Sequence, residues 1–296
     1  MSKIGFIGLG VMGKPMARNL LKAGYGLVVF DVNKEVVAEL AAEGAEAAEN
    51  AAAVASRADK IIITMLPNSP HVSAAVLGAN GVAEGCRAGQ VLVDMSSIAP
   101  LVDREIGAEL AKKGVSVIDA PVSGGQEKAE SGTLAIMAGG DEAVFNEVKP
   151  VLEVMGGSVT LVGELGAGQT TKLVNQMIVG INIAAVAEGM SFAKKAGVDP
   201  RRVFEAIRGG LAGSQCLADK APRMFEERYN PGFRINLHIK DLWNVMETSR
   251  AVGDSVPLSA LVMEMMIALA NDGCETMDHG ALGKYYEKLN KISLKA

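Results

Sequence analysis

The sequence has few of the residues on which disulfide scaffolds, metal centres and nucleic-acid readers are built. Its 296 residues include three cysteines, Cys86, Cys216 and Cys274, and three histidines, His71, His238 and His279. An odd number of widely spaced cysteines without a C-x-x-C pair gives neither a disulfide framework nor a zinc site, and no histidine stands at metal-ligand spacing from another. Reduced thiols are therefore expected, and so is an acid or base other than a histidine triad. Aromatic residues make up 4% of the chain and the formal net charge is -5. That balance exerts no global pull toward nucleic acid or an anionic membrane, and a small molecule is the expected partner.

Long apolar runs are also scarce. Leu173 to Ala193 approaches membrane-spanning length, but it carries Asn175, Gln176, Asn182 and Glu188, polar groups that are costly in lipid and point to a helix enclosed in protein. Its apolar circumference predicts cover by other helices or by a second subunit, hence a homodimer or homotetramer. No apolar leader with a small-residue cleavage site precedes Ile4, and the expectation is a soluble, cytoplasmic protein.

What the chain does have is alternation. Short apolar runs at residues 3–8, 27–30, 60–66, 91–94, 115–119, 133–138 and 158–162 are separated mostly by segments of helical pattern, with Ala41 to Ala55 read as alanine-rich and simply helical. From Gly166 onward only helices are legible: one to about Ala196, one opened by Asp199-Pro200, and others at 238–253, 257–271 and 279–290. This pattern predicts two domains: residues 1–163, an α/β doubly wound, mainly parallel sheet, and residues 164–296, all-helical.

The first strand leaves through Gly8-x-Gly10-x-x-Gly13 into a helix. In that context the three glycines serve a tight turn, the approach of a pyrophosphate to the backbone, and close helix–strand packing, so residues Gly8, Leu9, Gly10, Val11, Met12 and Gly13 are expected to bind the dinucleotide of a Rossmann-type domain. Asp31 ends the second strand about 20 residues on, where a carboxylate accepts from ribose hydroxyls and repels a 2'-phosphate. With Val32 and Asn33 rather than arginine beside it, NAD(H) is favoured over NADP(H). Further candidates, Leu66, Pro67, Asn68, Ser97, Ser123, Gly124 and Gly125, also fall just after strand ends, the rim on which open α/β sheets bind ligands. Ser123-Gly124-Gly125 can present N–H groups and a hydroxyl to a carboxylate.

At the junction of the two halves, Gly166-Ala167-Gly168-Gln169-Thr170-Thr171-Lys172 enters a helix on which Lys172, Asn175 and Gln176 share a face. Lys172 is the candidate reactive centre, and its nearness to a helix N-terminus is expected to lower its pKa.

These strings, with Phe6 to Ala17, Asp119 to Gly125 and Ile239-Lys240-Asp241, resemble the β-hydroxyacid dehydrogenases over essentially the whole chain. Leu66 to Val72, Arg208 to Ser214 and Phe233 to Asp241 are most similar to the branch that reduces tartronate semialdehyde (2-hydroxy-3-oxopropionate) to glycerate. The resemblance implies that Lys172 is the catalytic lysine, assisted by Asn175. It implies that Ser123, Gly124, Gly125 and Gln176 hold the substrate, that Leu66, Pro67, Asn68 and Ser97 line the nicotinamide, and that Lys240 lies beside the cofactor. The 3-hydroxyisobutyrate branch usually has Asn-Asn where this chain has Asn175-Gln176. Oxidation of 3-hydroxyisobutyrate, reduction of another short semialdehyde, and a non-catalytic NAD-binding sensor or scaffold are the alternatives.

Overall fold

A computed structural model describes residues Ser2–Lys295. The chain forms two compact units, Met1–Lys172 and Leu173–Ala296. The sequence boundary at 163/164 marks the end of the last strand, whereas compactness groups the first turns of the following helix with the sheet.

In the first unit the elements run β1 (Lys3–Ile7), α1 (Gly13–Lys22), β2 (Gly26–Phe30), α2 (Lys34–Ala42), β3 (Glu46–Ala47), α3 (Ala51–Arg57), β4 (Ile61–Thr64), α4 (Ser69–Leu77), α5 (Val82–Gly85), β5 (Val91–Asp94), α6 (Pro100–Ala111), β6 (Ser116–Asp119), β7 (Val122–Ser123), α7 (Gly125–Ser131), β8 (Leu134–Gly139), α8 (Glu142–Met155) and β9 (Gly156–Gly163). Among the described residues the nine strands make one sheet in the order β3-β2-β1-β4-β5-β6-β8-β7, with β9 on β8. β1 to β6 are all parallel, β8 runs antiparallel to β6 and β7, and β9 is parallel to β8. The order reverses between β1 and β4, which is where such sheets open a crevice for a ligand.

Burial on both faces explains the uninterrupted apolar strands. Successive residues feed opposite cores: Phe6, Val29, Ile63 and Val93 pack on one side, Ile7, Val28, Ile62 and Leu92 on the other. Ala41 to Ala55 is a correction to the sequence reading. It is not one helix: Gly44, at φ 108°, takes the chain out of α2, β3 pairs with β2, and α3 restarts at Asn50, whose Oδ1 accepts the Ala53 N–H at 2.8 Å.

α9 (Ala167–Lys195) passes from the first unit into the second, which continues with α10 (Pro200–Ile207), α11 (Gln215–Phe225), α12 (Ile235–Val252), α13 (Pro257–Leu269) and α14 (Leu282–Asn290). Its own core gathers Ile183, Ala187, Met190, Met224, Leu242, Met263 and Met266, among others, so Met263 and Met266 of the methionine-rich segment are packing material. α9 is long and apolar enough to cross a membrane by length and composition. Its polar residues are satisfied by protein instead: Glu188 accepts from the Tyr286 hydroxyl at 2.7 Å. Val174, Ile178 and Phe192 nevertheless stay exposed on the single chain.

Candidate active site

The glycine fingerprint is built as its spacing requires. Gly8 sits at φ 96°, and a Cβ there would lie 2.3 Å from the carbonyl oxygen of Met65, so the loops after β1 and β4 meet over this glycine. A Cβ on Gly13 would lie 1.9 Å from the Gly8 oxygen, whereas one on Gly10 would meet no heavy atom within 4 Å. Two of the glycines thus permit folding, and the third leaves open space. α1 begins without a side-chain cap; the Lys14 N–H is spent on the Gly10 carbonyl at 3.0 Å and the Met16 N–H on that of Met12 at 3.3 Å, and the positive end of the helix still faces the fingerprint loop.

Asp31, one residue past β2, accepts the Leu9 N–H at 2.6 Å through Oδ2 and the Asn33 N–H at 2.8 Å through Oδ1. It therefore ties the fingerprint loop to the β2 end, a structural role beyond the one expected of it. Leu9, Gly10, Val11, Lys14, Asp31 and Asn33 line a cavity of about 560 Å3. Open space over Gly10, an uncapped helix N-terminus and a carboxylate at the ribose position fit a dinucleotide.

Leu66, Pro67 and Asn68 follow β4, and Ser97 follows β5, the next strand in the sheet. Hydrogen bonds lace the two loops together: the Leu66 N–H donates to Ser96 Oγ at 2.9 Å and the Ala99 N–H to Ser69 Oγ at 3.1 Å. Asn68 caps α4. Ser123 lies in β7, paired with Ala135 of β8, and Gly124 and Gly125 have φ of 141° and 70°. The Ser-Gly-Gly motif is therefore shaped by glycine-only backbone beyond the carboxyl end of β6.

Lys172 is buried at 5% exposure, unlike the solvated helix lysine that is the common case. Asp119, the last residue of β6, holds the start of its helix by accepting the Gly166 N–H on Oδ1 and the Gln169 N–H on Oδ2, both at 2.7 Å. Gln169, fully buried, also donates from Nε2 to Ser96 O and to Asp103 Oδ2, each at 2.9 Å, and accepts the Ile98 N–H at 3.1 Å. Burial pushes the Asp119 carboxyl up to about 6, against the lowering effect of the two amides. The sequence places Asp94 and Asp119 at strand ends, and Asp119 also in a family string, but assigns neither a role. The available signal was that two apolar strands, Val91-Leu92-Val93-Asp94 and Ser116-Val117-Ile118-Asp119, close on the same acid.

The second unit contributes its own chain of contacts. Asn175 Nδ2 donates to Gln176 Oε1 at 2.8 Å, Gln176 Nε2 donates to Asp241 Oδ2 at 2.5 Å, and the Lys240 ammonium lies 3.0 Å from Asp241 Oδ1. Three expected site residues are thereby joined through Asp241, to which the sequence assigns no role. His238 and His279, 41 residues apart, meet through their Nδ1 atoms at 2.9 Å, and His238 Nε2 lies 3.0 Å from the carbonyl of Gln176. Burial, then the neighbouring His238, hold His279 well below the ordinary histidine range, and the pair ties α12 and the turn before α14 to the α9 backbone.

Comparison with known proteins settles what this frame belongs to. Residues 3–163 match the NAD-binding domain of 6-phosphogluconate dehydrogenase, and residues 166–286 match the family described as NAD-binding of NADP-dependent 3-hydroxyisobutyrate dehydrogenase. The chain is 45% identical over 280 residues to 2-hydroxy-3-oxopropionate reductase of Escherichia coli, covering 95% of each chain. It belongs to the β-hydroxyacid dehydrogenase family. This β-hydroxyacid dehydrogenase is also 36% identical over 297 residues to 3-hydroxyisobutyrate dehydrogenase of Pseudomonas aeruginosa, over 97% of this chain and 99% of the relative. Its fold is similar to that of a Mycobacterium tuberculosis 3-hydroxyisobutyrate dehydrogenase with L-serine, at a TM-score of 0.90 and 32% identity over 96% and 98% of the two chains. As a β-hydroxyacid dehydrogenase it is an NAD-binding oxidoreductase acting on a CH–OH group.

Proposed function

We propose that this dehydrogenase reduces tartronate semialdehyde to D-glycerate with NADH, and that Lys172 is its general acid. The observation that carries the substrate is the 45% identity, end to end, with the Escherichia coli reductase. The nicotinamide, when bound, supplies a hydride to the aldehyde carbon. Negative charge then gathers on the carbonyl oxygen, where the Lys172 ammonium gives up its proton; a cation there stabilises the transition state more than the ground state. In the reverse direction Lys172 takes the hydroxyl proton. Ser123, Gly124 and Gly125 hold the substrate carboxylate, Asn175 and Gln176 orient the reacting end, and Lys240, fixed by Asp241, lies beside the cofactor with Leu66, Pro67, Asn68 and Ser97.

Asp31 favours NADH over NADPH, because its carboxylate repels a 2'-phosphate. Oxidation of 3-hydroxyisobutyrate is the second reading, supported by the Pseudomonas aeruginosa relative. Exposed Val174, Ile178 and Phe192 on α9 support a homodimer or homotetramer, which light scattering would measure directly.

A panel of tartronate semialdehyde and succinic semialdehyde with NADH or NADPH, and of 3-hydroxyisobutyrate with NAD+ or NADP+, followed at the nicotinamide absorbance, tests the assignment. The highest kcat/KM is expected for tartronate semialdehyde with NADH; a higher value for 3-hydroxyisobutyrate overturns it. Lys172→Met is expected to bind NADH normally and lose at least about a thousandfold in kcat, within the range for a general acid. Near-normal turnover in that variant would remove Lys172 from the mechanism.

A further inference from the structure

Behind the first turn of α9 lies a pair of acids that substrate and cofactor do not need to touch. Asp94 at the end of β5 and Asp103 on α6 are both fully buried. Every donor that reaches Asp94 falls on one oxygen: Thr64 Oγ1 and Ser96 Oγ donate to Oδ1 at 2.6 Å each, and the Ser96 N–H at 3.2 Å. Asp103 receives Gln169 Nε2 on Oδ2. The other two oxygens, Asp94 Oδ2 and Asp103 Oδ1, are buried and take no N–H or O–H from any other described residue. The two carboxyls lie within interaction range of each other, and the charge of Asp94 acts on Asp103.

Two ionised carboxylates have no hydrogen to place between them, and like charges buried in contact repel strongly. We propose that Asp94 and Asp103 hold a single proton between Oδ2 and Oδ1, and that this proton positions Lys172 by way of Gln169. With the proton in place, Asp103 presents Oδ2 as a pure acceptor. That fixes the Gln169 amide, which ties the Ser96–Ile98 loop to the turn of α9 leading into Lys172. Burial, then the charges of Asp94 and Asp119, raise Asp103 well above the ordinary carboxyl range. Asp119 on β6 is the third acid facing the pair; Thr64, Ser96 and Gln169 bring no charge from β4, the β5 loop and α9.

Infrared spectra of the full-length wild type near neutral pH test the proton itself. A protonated-carboxyl C=O band, shifted in deuterium oxide, is expected and should vanish in both Asp94→Asn and Asp103→Asn. Kinetics test the positioning role. Either single asparagine supplies one fixed N–H in place of the proton, so each variant should keep kcat within about threefold. The double variant sets an amide donor against Gln169 Nε2, and Asp103→Leu removes the acceptor; both should lose at least tenfold in kcat while KM for NADH stays within about threefold. Absence of the band from the wild type, or its survival in both single variants, overturns the shared proton. Wild-type turnover in the double variant overturns the positioning role. The kinetic arm rests on Lys172 being the acid, whereas the infrared arm does not, so failure of one reading is distinguishable from failure of the other.

Discussion

Gln176 Nε2 donates to Asp241 Oδ2 at 2.5 Å, and the other oxygen of the same carboxylate lies 3.0 Å from the Lys240 ammonium. One buried acid on α12 thus sets both an amide on α9 and the cation one residue before it. Asp241→Asn keeps the shape but removes the charge and turns an acceptor into a donor. It should lower kcat/KM by about 10- to 100-fold, corresponding to about 1.4–2.7 kcal/mol. A double-mutant cycle with Lys240→Ala checks the coupling, and the two losses should be well short of additive. Additive losses would mean that Asp241 acts without Lys240.

Gly10 and Gly13 separate binding from folding. Gly10→Ala places its methyl in open space, so its unfolding free energy should change by no more than about 1 kcal/mol. KM for NADH should nonetheless rise by at least about tenfold, since the methyl stands where a pyrophosphate approaches the backbone. Gly13→Ala meets the Gly8 carbonyl and should lower stability by about 2 kcal/mol or more. Urea denaturation with NADH titration distinguishes the two; equal destabilisation would refute the division of roles.

Cofactor choice should follow Asp31. Asp31→Ser removes the charge that repels a 2'-phosphate and should raise the NADPH/NADH ratio of kcat/KM by at least about tenfold, or 1.4 kcal/mol. Because Asp31 also holds the Leu9 N–H, affinity for NADH should fall in the same variant. An unchanged ratio would place discrimination elsewhere in the pocket.

The pH dependence of stability should carry the mark of Asp119. Its carboxyl rises from an ordinary 3.8 to about 6 in the fold, so between about pH 4 and 6 the folded state binds the proton that the unfolded chain releases. Stability from this group is full below about pH 4, falls as pH rises to about 6, and is flat above. The whole change is about 3 kcal/mol. Asp119→Asn should lack that limb, which urea unfolding at the two ends of the window would reveal as a difference between wild type and variant.

How much of this was legible depended on distance along the chain. The Gly8–Gly13 fingerprint, Asp31 and the alternating strands are local patterns, and the mainly parallel sheet they imply is the one observed. Short elements escaped: β3 is two residues inside an alanine-rich stretch, the helix 125–131 buries only Ala129, and the helix 215–225, though Leu217, Ala221, Met224 and Phe225 recur at helical spacing, is interrupted by Pro222. The polar supports of Lys172 escaped for a different reason. Gln169 reaches Asp103 across 66 residues and Asp119 across 50, and no spacing rule reports a contact created only by stacking β5 beside β6. His238 and His279 illustrate the same limit on the helical side.

Asp119 grips Gly166 and Gln169 through their main-chain N–H groups, so the grip itself reads no side chain, although Gly166 is held to glycine by its φ of 90° and Gln169 by its side-chain bonds to Ser96 and Asp103. Drift at Thr170 or Thr171 leaves this contact untouched. Position 119 has no such latitude, since only a second acceptor oxygen can serve both amides. Around one contact, then, evolutionary freedom lies at Thr170 and Thr171, and constraint at Asp119, Gly166 and Gln169.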